Sequence, residues 1–212
     1  ISLSIIIVSF NTKEITKKCL LSLNKNFIKY PLEHEIIVVD NNSKDRTRAL
    51  ALSVLRPEAV LTENRPGKAN AVRNAFSAIA ADIYLLVDAD RTYLASDARK
   101  LIQPVRDNIA DMVVGDRHAG GDYRRENKRN FHGFGNTLVK WLVNFFFRSK
   151  LNDIMSGYRA FNKTFVKNIP ILSEGFELET EMTLHALDKK FRITEVPITY
   201  QDRPKGSVSK LN

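Results

Sequence analysis

The sequence predicts an α/β fold built on a mainly parallel sheet with helices on both faces. Three observations predict it. Apolar runs of strand length recur as "SIIIVSF", "EIIVVD", "DIYLLVDAD" and "DMVVGD". Helix-like stretches, "TKEITKKCLLSLNKN", "KDRTRALALSVL" and "KANAVRNAFSAIA", alternate with them. The runs are apolar at consecutive positions, as in strands buried on both faces, and do not alternate as a half-solvated strand would.

Taken in order, "SIIIVSF" ends in polar "SFNT", which holds Ser9 and Asn11, and the first helical stretch follows with Cys19 among helical apolar neighbours. A single cysteine forms no internal disulfide and reads as a small core residue. "EIIVVD" ends in "VVDNNSKD", with Asp40 and Asn42 beyond the strand. "NRPGKANAVRNAF" sets Lys68 and Arg73 on either side of a helix start, where phosphate oxygens are favoured. It is not a GxxxxGK[ST] loop. "YLLVDADRTY" closes an oily strand with Asp88 and Asp90. After about Gly115 the alternation gives way to a basic loop, a helix over 134–148, a loop "NDIMSGYRAFNK", an acidic helix start "GFELETEMTLHAL" and a strand in "RITEVPITY". This second half reads as an elaboration of one domain spanning 1–212, with a ligand-binding half at 1–115 and a second half at 116–212.

At 212 residues, 43% hydrophobic and 27% charged, the chain holds material for a full core, which excludes a disordered class. No stretch reaches the roughly 18 to 20 apolar residues needed to span a bilayer, and no signal-peptide pattern opens the sequence. Starting at Ile1 without methionine, it reads as part of a longer chain whose continuation includes room for membrane helices. The net charge of +9 is unevenly placed. Residues 117–150 carry eight Lys or Arg against Asp122 and Glu126, and residues 189–212 carry six against Glu195 and Asp202. Two such basic segments fit an anionic partner, whether nucleic acid, acidic headgroups or a phosphorylated substrate, or else a solvated surface. No nucleic-acid motif accompanies them.

In sheets of this kind ligands gather beyond the carboxyl ends of the strands. Strand alternation points Asp88 and Asp90 to one side, where two carboxylates suit a hard cation, Mg²⁺ or Mn²⁺. A turn or cap is the competing role, as it is for Asp40. In "FELETE", Glu177 and Glu181 share a helix face while Glu179 points elsewhere. These are candidates for a general base, or residues complementing a helix dipole. No histidine has metal-ligand spacing, and His132 in "RNFHGFGN" is the histidine best placed for a phosphate contact. In "FGNTLVKWLVNFFFRSK", Asn136, Lys140, Asn144 and Arg148 form one polar stripe on an otherwise apolar helix. It reads either as an interfacial helix near headgroups or as a core helix.

The ordered set "VVDNNSKD", "GKANAVRNAF", "LLVDADRTY", "VVGDR", "SGYRAF" and "EVPITYQDRPKGSVSKL" resembles family 2 glycosyltransferases of the GT-A, Rossmann-like fold. Within them it resembles most the branch of polyprenyl-phosphate sugar synthases that includes dolichol-phosphate mannose synthase. The resemblance runs from about Ser2 to Leu211. It implies that Asp40 reads the nucleotide, that Asp88 and Asp90 hold the metal and donor diphosphate, and that Arg117 lies near the donor. Ser9, Asn11, Asn42, Lys68 and Arg73 complete the implied donor set. Ser156 and Arg159, with His132, Arg203 and Lys210, are implied on the acceptor-phosphate side. Thr92 stands where some relatives carry glutamine, and Thr12 where many carry an acidic residue. The implied reaction is inverting transfer of a hexose from a UDP- or GDP-linked sugar, with Asp90, Glu179, Glu181 and Arg117 as catalytic candidates. The implied acceptor is a polyprenyl phosphate at the cytoplasmic membrane face. Two other readings remain open at this level: a saccharide hydroxyl as acceptor, and a basic module that binds nucleic acid without catalysis.

Overall fold

The computed structural model describes residues 2–29, 33–88, 90, 92–119, 130–175 and 177–201, with side chains omitted at 26–29 and 130–134. The elements run β1 (Leu3–Ser9), α1 (Lys13–Lys29), β2 (His34–Asp40), α2 (Thr47–Val54), β3 (Val60–Thr62), α3 (Lys68–Ala78), β4 (Ile83–Asp88) and α4 (Ala98–Arg106). They continue with β5 (Met112–Asp116), α5 (Asn130–Phe147), β6 (Arg159–Asn162), α6 (Lys163–Asn168), α7 (Leu178–Asp188) and β7 (Ile193–Pro197). The seven strands lie in the order β3-β2-β1-β4-β6-β5-β7. All neighbours are parallel except β6, which is antiparallel to both β4 and β5.

The apolar runs become central strands because both of their faces are covered. Ile5 and Ile7 pack on one side with Leu20 and Leu23 of α1, Ala51 of α2 and Leu101 of α4. Ile6, between them, packs on the other with Val72 and Phe76 of α3, Phe165 of α6 and Met182 of α7. Each such fully buried aliphatic or aromatic side chain contributes roughly 1.5–3 kcal/mol relative to exposure. Cys19 is buried in the first layer, as the sequence predicts. The parallel order puts the C-terminal ends of β2, β1 and β4 side by side, so Asp40, Ser9 and Asp88 arrive at one edge.

One sequence expectation is overturned here. "NDIMSGYRAFNK" is not a continuous loop, since Arg159–Asn162 forms β6 in the middle of the sheet. Its pairing of Leu86 with Arg159 and of Met112 with Phe161 joins the two halves of the sheet. Four residues that include an arginine carry too short a pattern to be seen locally. Alternation nevertheless holds, with Tyr158 and Ala160 in one core layer and Phe161 in the other. The three-residue edge strand β3 is likewise absent from the sequence reading. The helix expected over 134–148 is α5, but its wide apolar face is not a core face: Trp141 is 57% exposed, Phe145 62% and Phe146 72%, while Val143 is buried.

Candidate active site

The site is built where α3 begins. Gly67 precedes it with φ of 118°, a conformation that glycine adopts without penalty, and a Cβ there would stand 1.9 Å from the Glu174 carbonyl oxygen. Asn41, at the end of β2, accepts from the Gly67 N–H at 2.9 Å and donates to the carbonyls of Glu63 and Arg65 at 3.2 and 2.6 Å. These bonds fix the turn that delivers Lys68.

Lys68 Nζ lies 2.6 Å from Oδ1 of Asp88 and 2.5 Å from Oε1 of Glu179, and the lysine and Glu179 side chains are only 11% and 8% exposed. Burial disfavours the ammonium, but the two carboxylates outweigh it and raise the Lys68 pKa, so it stays charged throughout the neutral range. Gly157, of "SGYRAF", lies against this pair, and a Cβ at that position would meet Asp88 Oδ2 at 2.5 Å and Lys68 Nζ at 3.0 Å. Its N–H donates to Tyr93 Oη at 3.0 Å. Tyr93 packs against Tyr158 and Tyr200, and its burial pushes the phenol pKa up, which keeps it neutral. Asp90 follows at the same strand end, and its Oδ1 accepts from Thr92 N at 3.1 Å and Thr92 Oγ1 at 2.7 Å. The N–H of Gln201 donates to Thr92 O at 2.9 Å, so the chain beyond β7 closes over this end of β4.

On the β2 side Asp40 is 3% exposed, and its Oδ2 accepts from Ser43 N at 3.4 Å. Its Oδ1 is buried with no hydrogen-bond partner among the described residues. An unsatisfied carboxylate oxygen costs about 1–3 kcal/mol or more, and a donor supplied by a ligand would remove that cost. Asn11 and Asn42 adopt positive φ, 49° and 58°, which asparagine tolerates better than most residues. Asn11 Oδ1 accepts from Lys44 N at 2.7 Å, lashing the β1 and β2 loops together, while Asn42 is exposed. Ser9 is turned inward, its hydroxyl bonded to those of Thr12 and Thr16 at 2.7 Å each.

Several expected ligand contacts have other work in this structure. Arg73 donates to the carbonyls of Ile171 and Ser173, both at 2.7 Å, and to Asn70 Oδ1 at 2.6 Å, so it straps a loop rather than facing the strand ends. Glu181 holds the same loop by accepting from Leu172 N at 2.6 Å, Ser173 N at 3.1 Å and the Ser173 hydroxyl. Burial pushes the Glu181 carboxyl up, but these bonds more than offset it and its pKa falls. Glu177 accepts from the N–H groups of Glu174 and Gly175, and backbone hydrogen bonds lower its pKa too. Glu179 is therefore the member of the three that turns to the strand ends, bound there to Lys68.

Arg117 makes a bidentate pair with Asp153 at 2.7 and 2.8 Å and lies 5.4 Å over the Tyr200 ring. Asp153 is nearly fully buried. Burial would raise its pKa, yet the Arg117 bonds hold it below the usual carboxylate range. Ser156 presents a buried hydroxyl without a partner among the described residues. Arg159 is fully buried, donating to Ser156 O at 2.8 Å, Ile154 O at 2.6 Å and Thr183 Oγ1 at 2.9 Å. Its guanidinium, whose pKa burial lowers, organises the loop that carries Gly157 and does not face outward. The side chain of His132, and Arg203 and Lys210, lie outside the described residues. Sequence reasoning missed Asn41, Tyr93, Asp153 and Gly157. Only Gly157 carried a signal, as a glycine inside an otherwise ordered string.

A mostly parallel seven-stranded sheet with an inserted antiparallel strand and helices on both faces is the fold of the GT-A glycosyltransferases. Residues 4–169 match the Glycosyl transferase family 2 profile, and the chain belongs to that family. It is 35% identical over 178 residues to glycosyltransferase AglJ of Haloferax volcanii, covering 84% of this chain and 57% of that protein. It is 30% identical over 217 residues to the dolichol-phosphate mannosyltransferase of Pyrococcus furiosus, covering 98% and 58%. The chain thus spans a little over half the length of these relatives. Glucosyl-3-phosphoglycerate synthase of Mycobacterium tuberculosis, solved with Mn²⁺ and UDP-glucose, superposes with a TM-score of 0.70 at 18% identity, covering 96% of this chain and 72% of that one. At that identity the likeness is one of fold.

Proposed function

We propose that this family 2 glycosyltransferase moves a hexose, with inversion, from a UDP- or GDP-linked sugar to a polyprenyl phosphate at the cytoplasmic face of a membrane. The observation that carries the acceptor reading is the state of the three glutamates of "FELETE". Glu177 and Glu181 are spent on backbone amides, and Glu179 on Lys68. None stands ready to deprotonate a sugar hydroxyl. A phosphate monoester, with a second pKa near ~6, is mostly dianionic at neutral pH and attacks without a strong base. The name of the Pyrococcus furiosus relative, a dolichol-phosphate mannosyltransferase, supports the same class of acceptor. Membership in an enzyme family removes the reading of a non-catalytic nucleic-acid module.

The residues present fit Mg²⁺ or Mn²⁺. Asp88 and Asp90 offer the hard oxygen ligands these ions take. One ammonium, Lys68, against the carboxylates of Asp88, Asp90 and Glu179 leaves two negative charges, the complement of a divalent ion. A divalent ion there would neutralise charge on the departing diphosphate. No group of three or more His, Cys, Asp or Glu that would hold a metal occurs among the described residues, so Asp88 and Asp90 would bind the ion together with oxygens of the donor diphosphate. Asp40, with its buried unpartnered Oδ1, would accept a hydrogen bond from the nucleoside. Lys68, kept charged by its two partners, would add fixed positive charge where the leaving group develops negative charge.

Supplying acceptors separately tests the reading. With Mn²⁺ and labelled UDP- or GDP-sugars, product is expected on a short-chain polyprenyl phosphate and not on a disaccharide. Transfer to the disaccharide alone would refute it. Titration calorimetry should detect Mn²⁺ only once UDP or GDP is present.

A further inference from the structure

Helix α5 is built the wrong way round for a core element. Leu138, Trp141, Leu142, Phe145 and Phe146 fall at successive three- and four-residue steps, the spacing of a single apolar stripe. That stripe faces outward, with exposures of 45, 57, 36, 62 and 72%, while Val143 faces the body. The aromatic rings form a continuous platform, Trp141 stacked on Phe145 at 5.3 Å and Phe145 edge-on to Phe146 at 5.4 Å. Apolar surface of this extent marks a site of interaction.

Charge identifies the partner. Residues 127–152 contain no Asp or Glu, and the exposed Arg148 and Lys150 flank the stripe at its C-terminal end. A second copy of the same face would set these bases against bases, whereas a negatively charged lipid surface complements them. The helix spans about 27 Å at 1.5 Å per residue, and no described helix is long and apolar enough to cross a membrane, so α5 would lie along the surface. Asn144 caps its end, accepting from Leu151 N at 3.0 Å and donating to Leu151 O at 2.9 Å, and the chain then reaches Asp153, which clamps Arg117.

We propose that the outward stripe of α5 is a docking surface for an anionic lipid bilayer, which it holds beside the loop that carries Ser156. This rests on the lipid-phosphate reading above and names the surface that would serve it.

The test is co-sedimentation of the full chain with vesicles of phosphatidylcholine containing 30% phosphatidylglycerol, and with phosphatidylcholine alone. Wild type should partition to the anionic vesicles and lose most of that binding in high salt. The triple change Trp141→Ser, Phe145→Ser, Phe146→Ser should weaken partitioning at least ~10-fold. Arg148→Gln and Lys150→Gln should each weaken it ~5-fold. Neither set should alter stabilisation by nucleoside diphosphate or transfer to a short-chain, water-soluble polyprenyl phosphate. Vesicle binding equal in wild type and triple variant would overturn the proposal, as would no binding by wild type. Conversion of an oligomer to a monomer by the triple change, with vesicle binding intact, would overturn it in favour of a second copy. If wild type binds vesicles but transfers nothing to the short-chain acceptor, the docking surface stands and the acceptor reading falls.

Discussion

Gly157→Ala separates catalytic geometry from stability more cleanly than any change to a charged residue. The added methyl would lie 2.5 Å from Asp88 Oδ2 and 3.0 Å from Lys68 Nζ, about an ångström inside ordinary contact. Both obstacles are ends of side chains, and Gly157 does not have positive φ. The clash is therefore relieved by moving Asp88 and Lys68, not the backbone. Overpacking of this kind costs roughly 1–3 kcal/mol, and the low end is expected here because side chains yield first. On the role proposed for Asp88, displacing its carboxylate by ~1 Å costs on the order of 10²-fold in rate. The assay is transfer with Mn²⁺ and donor at saturation, read beside a thermal melt. Activity should fall ~100-fold, while the melting temperature falls by no more than about 4 °C, given ~2–4 °C per kcal/mol for a chain of this size. Activity within threefold of wild type would refute the placement of Asp88 and Lys68 in the reacting site.

Gly67→Ala should behave in the opposite way, because its Cβ would meet the Glu174 backbone at 1.9 Å and its φ of 118° suits only glycine. A loss of about 3 kcal/mol or more, some 6–12 °C in melting temperature, is expected. Lys68→Met leaves Asp88 and Glu179 facing each other without their cation, and a loss of ~3–5 kcal/mol in urea unfolding should follow. Adding Glu179→Gln to that variant should recover part of it, and strictly additive losses would contradict the pairing. The Asp153 carboxyl is held below its unfolded value by Arg117. Its stabilising contribution is therefore fully present above the unfolded pKa, near ~4, and is lost as pH falls through the lower folded value. In Arg117→Met the buried carboxylate has lost its partner, so the destabilisation measured at pH 7 should shrink on acidification to about pH 3. A pH-independent difference would exclude the pair as its source.

The layered α/β class was legible because it depends on local pattern. Runs such as "SIIIVSF" have no polar face, and only a sheet covered on both sides can bury Ile5, Ile6 and Ile7 at once. Asp88 and Asp90 stood out because carboxylates at the end of an oily strand need a partner. The partner's identity was not local. Lys68, Asp88, Gly157 and Glu179 come from four separate stretches that the strand order brings together, and β6 is a strand only because β4 and β5 leave a gap for it. Arg73 and Arg159 illustrate the converse. Their sequence context suits an anion, but neighbouring loops offer them carbonyl oxygens, to which Arg159 is bound in full burial.

The sequence alone therefore determined the fold class, the family resemblance and the acidic strand end, because hydrophobic period and residue chemistry act over a few neighbours. Tertiary structure decided which charges pair, which arginines are structural and which face of α5 meets solvent. Those outcomes depend on desolvation and contact between segments far apart in the chain, quantities that no local window contains.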